Sequence, residues 1–166
     1  MEAHRVAQQY KLIGPTMEQS QYNLFEREKM ENEYLMIFKT VGLGTTIWSP
    51  LATGLLTGKY NNGIPEGSRL GLEGFDWLKE RWIVDEKINK VKELATVANE
   101  LGVSLPSLSI AWCIKNPNVT TAILGATKKE QLLDNLKALE VLPKLTDEAM
   151  NKIDAVMKTK PAVPEY

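Results

Sequence analysis

Alternation of strands with helices predicts an α/β chain built on a parallel sheet, and three observations carry that reading. Val119 to Leu124 is uncharged and rich in β-branched residues, as suits a strand buried on both faces. Asp85 to Leu101 sets Ile88, Val91, Leu94, Ala95, Ala98 and Leu101 on one helical face, with Gly102 closing it. The order along the chain reads α-β-α-β-loop-α-α-β-α-α, which implies parallel strands and right-handed crossovers. Three parallel strands cannot cover their own edges, and an α/β barrel needs eight strands and typically about 250 residues. The chain is therefore expected to be the back half of a larger α/β domain.

Each element has a local cause. Glu2 to Tyr10 is predicted helical from Ala3, Val6 and Ala7. Nothing caps its start and Met1 falls inside the pattern, so a longer parent chain is expected. Lys11 to Pro15 breaks the helix, and Thr16 to Gln21 follows as a short buried strand. Glu26 to Thr40 reads as a helix through Met30, Tyr34, Ile37 and Phe38, with Gly42 as its stop. Leu43 to Trp48 is the second strand, ended by Ser49-Pro50 because proline has no N–H for a ladder. Asn61 to Gly74 is too long for a simple turn and is expected to be a functional loop. Ser104 caps the helix that holds Pro106 in its first turn and turns Leu108, Ala111 and Trp112 inward. Asn116-Pro117-Asn118 is a turn into the third strand. Lys128 to Leu139 and Asp147 to Lys158, the latter capped by Thr146, are two further amphipathic helices. Lys160 to Tyr166 is a tail with Pro161 and Pro164.

Composition narrows the classes. A net charge of −1 over 166 residues carries no nucleic-acid or membrane bias, and 43% hydrophobic with 25% charged residues is ordinary for a globular domain. Cys113 is the single cysteine, so no internal disulfide forms and a reducing compartment is inferred. Glu2, His4, Arg5 and Lys11 interrupt any leader-like run, and no stretch approaches the roughly 20 apolar residues of a membrane helix. A cytoplasmic location is the expectation. There is no internal repeat.

Two segments carry candidate chemistry. In "ILGATKKEQLLDN", Ile123 to Asn135, a strand runs into Gly125, and Thr127 with Glu130 is read as a capping box opening a helix. Free first-turn amides and the positive end of the dipole favour an anion there, with Lys128 and Lys129 adding charge. The competing reading is an ordinary capped helix with solvated lysines. In "TTIWSPLATGLLTGKY", Thr45 to Tyr60, the small residues Ala52, Thr53 and Gly54 let a ligand approach the backbone. Ser49 and Thr53 offer hydroxyls and Trp48 a flat face. Lys59 and Arg69 flank the flexible segment and suit a phosphate, arginine bidentately. Core packing for Trp48 and simple solubility for Lys59 and Arg69 are the bland alternatives. Both segments follow the last two strands, so both loops should open on one face, where α/β barrels recurrently bind phosphate.

"EQSQYN" (Glu18–Asn23), "TTIWSPLATGLLTGKY", "GIPEGSR" (Gly63–Arg69), "IAWCIKNPNV" (Ile110–Val119) and "ILGATKKEQLLDN" occur in that order. Together they resemble the C-terminal half of an aldo/keto reductase, in the branch of voltage-gated potassium channel β subunits and their microbial and plant relatives. The resemblance covers essentially the whole chain. It implies the last three strands and helices of a (β/α)8 TIM barrel, residues 1–166 forming one partial domain. It also implies NADP(H) as cofactor, held without a Rossmann fold; no G-x-G-x-x-G followed by an acidic residue is present. Position by position, Gln19 would bond the nicotinamide carboxamide and Trp48 would stack on its ring. Ser49, Pro50, Leu51, Ala52, Thr53 and Gly54 would line the pyrophosphate. Lys59, with Ser68 and Arg69 on the covering loop 61–74, would meet phosphates, including the 2′-phosphate. Gly125, Thr127 and Gln131 would close on the adenosine ribose phosphate, with Asp134 and Asn135 toward the adenine. Gly67 stands where channel β subunits often carry a tyrosine, which weakens the contact implied on that side.

The family's catalytic aspartate, tyrosine, lysine and histidine or asparagine have no counterpart in this chain, so no catalytic residue and no metal ligand is assigned. Tyr22 lacks a lysine–aspartate partnership, His4 is read as a solvated surface residue, and Cys113 as a small core residue. The intact protein is then expected to reduce aldehydes and ketones with NADPH, while the 166-residue segment alone is expected to be inactive. Two alternatives stand beside it: an NADPH-sensing regulatory β subunit with a channel partner, and a non-catalytic half-barrel that dimerises. Substrate identity is not fixed by these residues.

Overall fold

The computed structural model describes residues 1–162, so the predicted tail beyond Ala162 lies outside the described residues. Strands β1 (Met17–Glu18), β2 (Gly44–Ile47) and β3 (Thr121–Ala122) form one sheet in the order β1-β2-β3, both pairings parallel. Met17 lies opposite Gly44, and Thr46 opposite Thr121. Pairing resumes past β1, where the Trp48 amide donates to Ser20 O at 3.0 Å and the Tyr22 amide to Trp48 O at 3.3 Å. The strand expected over 16–21 is thus present but interrupted around Gln19.

Side chains alternate across a strand, and here the two faces differ sharply. Thr45 and Ile47 are buried, whereas Trp48 is 42% exposed. The register carries Met17, Gln19, Gly44, Thr46, Trp48, Thr121 and Ile123 onto one face, and none of these residues is charged. Helices cover the opposite face only. This overturns the expectation that Val119 to Leu124 is buried on both sides: Thr121 is exposed and Ile123 is 42% exposed. The cause is position, because β3 is an edge strand and no second layer sits over its Thr121 face.

The helices are α1 (Glu2–Gln9), α2 (Leu35–Val41), α3 (Asp76–Trp82), α4 (Asp85–Glu100), α5 (Leu105–Lys115), α6 (Lys129–Leu136), α7 (Ala138–Val141) and α8 (Asp147–Met157). Helix α4 buries Val91, Leu94 and Ala98 as its periodicity predicts. Ser104 and Thr146 cap α5 and α8 as predicted, their hydroxyls accepting from the Ser107 amide at 3.2 Å and the Ala149 amide at 3.3 Å. Gly42 stops α2 in the left-handed conformation, φ +64°.

Three expectations need correction. The helix predicted over 26–40 is a π turn, Lys29–Glu33, followed after Tyr34 by α2. The wider turn accompanies the inward reach of Arg27, whose guanidinium sits over the Trp112 ring at 5.0 Å. The stretch 128–139 breaks at Lys137 into α6 and α7. Helix α3 was not anticipated, although Leu78 and Trp82, four residues apart, both enter the core. The 61–74 loop is also more ordered than its composition suggests, with a 3-10 turn at Arg69–Gly71 and Leu70 buried.

One buried polar cluster joins the sheet to the helices. Arg27 donates to both oxygens of Glu31, Nε to Oε1 at 2.9 Å and Nη2 to Oε2 at 2.7 Å, and to Asp154 Oδ1 on α8 at 2.7 Å. Tyr22 donates to Glu31 Oε1 at 2.7 Å and accepts from Asn116 Nδ2 at 3.2 Å. Burial disfavours the charged guanidinium, but hydrogen bonds to Glu31 and Asp154 outweigh it and the net pKa shift is upward. Removing one member of such a cluster leaves charges without a partner. Arg27→Met is expected to lower stability in urea denaturation by about 3 kcal/mol. Arg27→Lys should restore only part of it, since an ammonium cannot make the bidentate contact.

Candidate functional site

Parallel pairing places the C-terminal ends of β1, β2 and β3 along one edge of the sheet. Gln19 is exposed and precedes Gln21, which bridges Trp48. From Trp48 the chain enters a tight, strained loop. Ser49 (φ +56°), Ala52 (φ +48°) and Thr53 (φ +60°) all adopt left-handed backbone, as does Gly54 (φ +93°). Three non-glycine residues in that region within five positions is unusual, and such strain concentrates at functional sites.

Hydrogen bonds hold the loop. The amides of Ala52 and Gly54 donate to Ser49 O at 2.9 Å and Leu51 O at 2.8 Å, and the Thr53 amide donates to Ser49 Oγ at 3.2 Å. The Ser49 and Leu51 amides have no protein acceptor among the described residues. Successive amides around left-handed residues form concavities that suit anions. Gly54 is favoured by its φ of +93°, and an added Cβ would also displace the end of the Lys59 side chain, 2.8 Å away at Cε. Pro50 and Ala52 are buried beneath this surface.

Lys59 lies over the Tyr60 ring at 5.0 Å and Arg69 over the Phe75 ring at 5.7 Å. Among the described residues neither makes an ion pair. Ser68 Oγ is turned to Pro65 O at 2.6 Å, within its own turn. The second loop is open at Gly125, where an added Cβ would meet nothing within 4 Å. The capping box read as Thr127 with Glu130 is displaced by one residue. Gln131 Oε1 accepts from the amides of Thr127 at 2.9 Å and Lys128 at 3.3 Å, and from the Thr127 hydroxyl at 3.2 Å. Helix α6 starts at Lys129, so Lys128 is the N-cap and Gln131, not Glu130, is the residue placed to reach back.

Asp134 and Asn135 lie elsewhere on α6. Asp134 Oδ2 accepts from Ser104 Oγ at 2.8 Å, and its backbone carbonyl accepts from Ser107 Oγ at 2.7 Å, tying α6 to the start of α5. Asn135 is buried. A groove of about 490 Å³ runs between α4, α5 and α7 and includes Asp134. It contains none of Trp48, Ser49 or Lys59, so Asp134 faces a different surface from the loop after β2. One contributor escaped the sequence reading. Asn23 is fully buried and its Nδ2 donates to Ser49 O at 2.9 Å. Its only sequence signal is an asparagine two and three residues ahead of amides it can accept from, a common turn pattern.

The profile of the Aldo/keto reductase family matches residues 2–158. The chain belongs to the aldo/keto reductase family. It is 53% identical over 161 residues to a probable voltage-gated potassium channel subunit beta from Oryza sativa subsp. japonica, covering 96% of this chain and 49% of that protein. To a protein of the same name from Arabidopsis thaliana it is 48% identical over 165 residues, 99% of this chain and 50% of that one. The chain thus spans about half the length of the curated relatives it matches. No single helix among the described residues is long and apolar enough to cross a membrane.

The other reactive side chains of the chain are engaged in packing. Tyr22 is buried against Trp112, ring centroids 5.1 Å apart, and burial followed by the Glu31 charge pushes its phenol far above the ordinary range. His4 is not the solvated residue expected. Its ring packs under the 11–15 segment, where a Cβ on Gly14 would stand 2.6 Å from Nδ1, and Nε2 is buried without a partner among the described residues. Cys113 is fully buried with its thiol 3.7 Å from Tyr22 O, and burial drives its pKa strongly upward. A raised thiol pKa means little thiolate at pH 8. Native protein should therefore resist iodoacetamide at pH 8 and become singly alkylated only in denaturant, as read by mass spectrometry.

Proposed function

We propose that this chain is the NADP(H)-binding, C-terminal half of a (β/α)8 aldo/keto reductase that reduces aldehydes and ketones to alcohols when the other half is present. The observation that carries this reading is the shared edge: parallel register brings the strained Ser49–Gly54 loop, Trp48 and the Gly125–Gln131 loop to one side. The residues present fit a phosphate-rich dinucleotide, since the loop offers unbonded amides and two cations that no carboxylate among the described residues neutralises. Gln19 would hold the nicotinamide carboxamide, and Trp48 would lie against the ring. The Ser49 to Gly54 backbone would take the pyrophosphate. Lys59 and Arg69 would meet the 2′-phosphate, and Gly125, Thr127 and Gln131 the ribose side. Asp134 and Asn135 are assigned to the adenine end by resemblance, although Asp134 is already bonded to Ser104.

Bound there, the cofactor would supply hydride to the carbonyl carbon. This chain's part is to bind and orient it and to leave the uncharged open sheet face as one wall of the carbonyl pocket. The proton donor would come from the other half, because Tyr22 is buried and bonded to Glu31. The segment by itself would reduce no carbonyl. The location proposed is cytoplasmic. A second reading, an NADPH-sensing regulatory β subunit docked on a voltage-gated potassium channel, is favoured by the names its plant relatives carry.

The intact protein should shift or quench NADPH fluorescence on titration, and absence of any change would remove the cofactor assignment. Replacing Lys59 and Arg69 by methionine should weaken NADP⁺ at least about tenfold more than NAD⁺, the scale of removing one charge-assisted hydrogen bond. Equal weakening of the two would take the 2′-phosphate away from these side chains.

A further inference from the structure

The strained loop after β2 is tied by a side-chain hydrogen bond to a distant part of the chain. Asn23 is fully buried in the connection after β1, and its carboxamide works in two directions. Oδ1 accepts from the amides of Phe25 at 2.9 Å and Glu26 at 3.1 Å, closing a local turn. Nδ2 donates at 2.9 Å to the carbonyl of Ser49, 26 residues away. A flipped carboxamide would set its NH₂ against two amide donors, so the network fixes its orientation.

The bonded carbonyl belongs to the first left-handed residue of the loop. Ser49 also accepts the Ala52 amide on its carbonyl and the Thr53 amide on its hydroxyl. Both of those bonds lie within the loop and would move with it. The Asn23 bond instead ties Ser49 to the sheet-end connection, itself anchored through Tyr22 and Glu31 to the Arg27 cluster. Left-handed backbone at a residue with a Cβ persists only where its surroundings overdetermine it.

We propose that Asn23 is a positioning residue, holding Ser49 in its left-handed conformation so that the free Ser49 and Leu51 amides face a dinucleotide pyrophosphate. The ligand half of this statement rests on the cofactor assignment above; the hold on the loop does not. Asparagine-to-aspartate separates the two roles, since Asn23→Asp keeps both acceptor bonds of the turn and loses the donor to Ser49.

The test uses the intact protein with Asn23→Asp and Asn23→Ala, reading amide hydrogen exchange and NADP⁺ affinity by calorimetry at pH 8. Both variants should exchange the Ala52–Gly54 amides at least tenfold faster while α4 stays protected, and both should bind NADP⁺ at least tenfold more weakly. If Asn23→Asp matches the native protein while Asn23→Ala does not, the side chain serves only the Phe25–Glu26 turn and the proposal fails. Equal loss of protection in the loop and in α4 would also overturn it, as a general loss of stability. Faster loop exchange in a protein whose native form binds no NADP⁺ would uphold the hold on Ser49 and remove the dinucleotide reading.

Discussion

β2 is paired in parallel on both sides, and that pairing constrains the rest of the molecule. A strand flanked by two parallel neighbours sends all three C-terminal ends to the same edge. The connections that leave that edge therefore meet there whatever their own sequences are. Short parallel strands also need long crossovers, and here each crossover returns over the same face of the sheet. Ile47 and Thr45 lie under helices while Thr46 and Trp48 do not. The sheet is thus covered on one face only and its opposite face is uncharged, the feature on which the half-barrel proposal draws.

The helical side carries the stability that the open side cannot supply. Leu94, Leu108, Ile47 and Ile153 are inaccessible to solvent and belong to one continuous core. Burial of apolar surface at roughly 25 cal/mol per Å² makes this layer the main favourable contribution. Set into it is the Arg27, Glu31 and Asp154 cluster, linking a π turn, α8 and, through Tyr22, the end of the sheet. A buried ion pair adds little net stability compared with apolar packing, but it specifies one arrangement because every alternative leaves a charge unpaired. That specificity matters at Tyr22, whose amide is bonded to Trp48 at the start of the strained loop.

Sequence legibility followed the range of the interactions involved. Elements fixed locally were readable: the apolar stripe of α4, the caps at Ser104 and Thr146, the left-handed stop at Gly42. That both loops leave the same edge of the sheet was readable as well, because parallel strand order alone decides it. What depended on distant partners was not. The π turn at Lys29–Glu33 goes with a guanidinium drawn toward Trp112 and Asp154, 127 residues on from Arg27. Helix α3 hid inside a Gly-rich neighbourhood, its two anchoring residues too few to register as a period. The displaced cap at Lys128 arose because Gln131 and Glu130 are both able to reach back, and only the helix start decides between them. Burial of β3 was overestimated because an uncharged run looks the same whether its second face is covered or open.

The candidate site divides by the same logic into what this chain holds and what it lacks. Part of what it holds is backbone: the free Ser49 and Leu51 amides of a loop in left-handed conformation, placed by a strand end and steadied by a bond to buried Asn23. Such groups need no titration and no partner beyond the fold that strains them. Proton transfer needs a titratable side chain at a matched pKa within reach of the reacting oxygen, and the Tyr22 phenol and Cys113 thiol are both buried with their pKa pushed upward. On the reading proposed above, the free amides would orient the dinucleotide and the acid would come from the other half of the intact protein. The open face is consistent with that division: Thr46, Thr121 and Ile123 present neither charge nor acid.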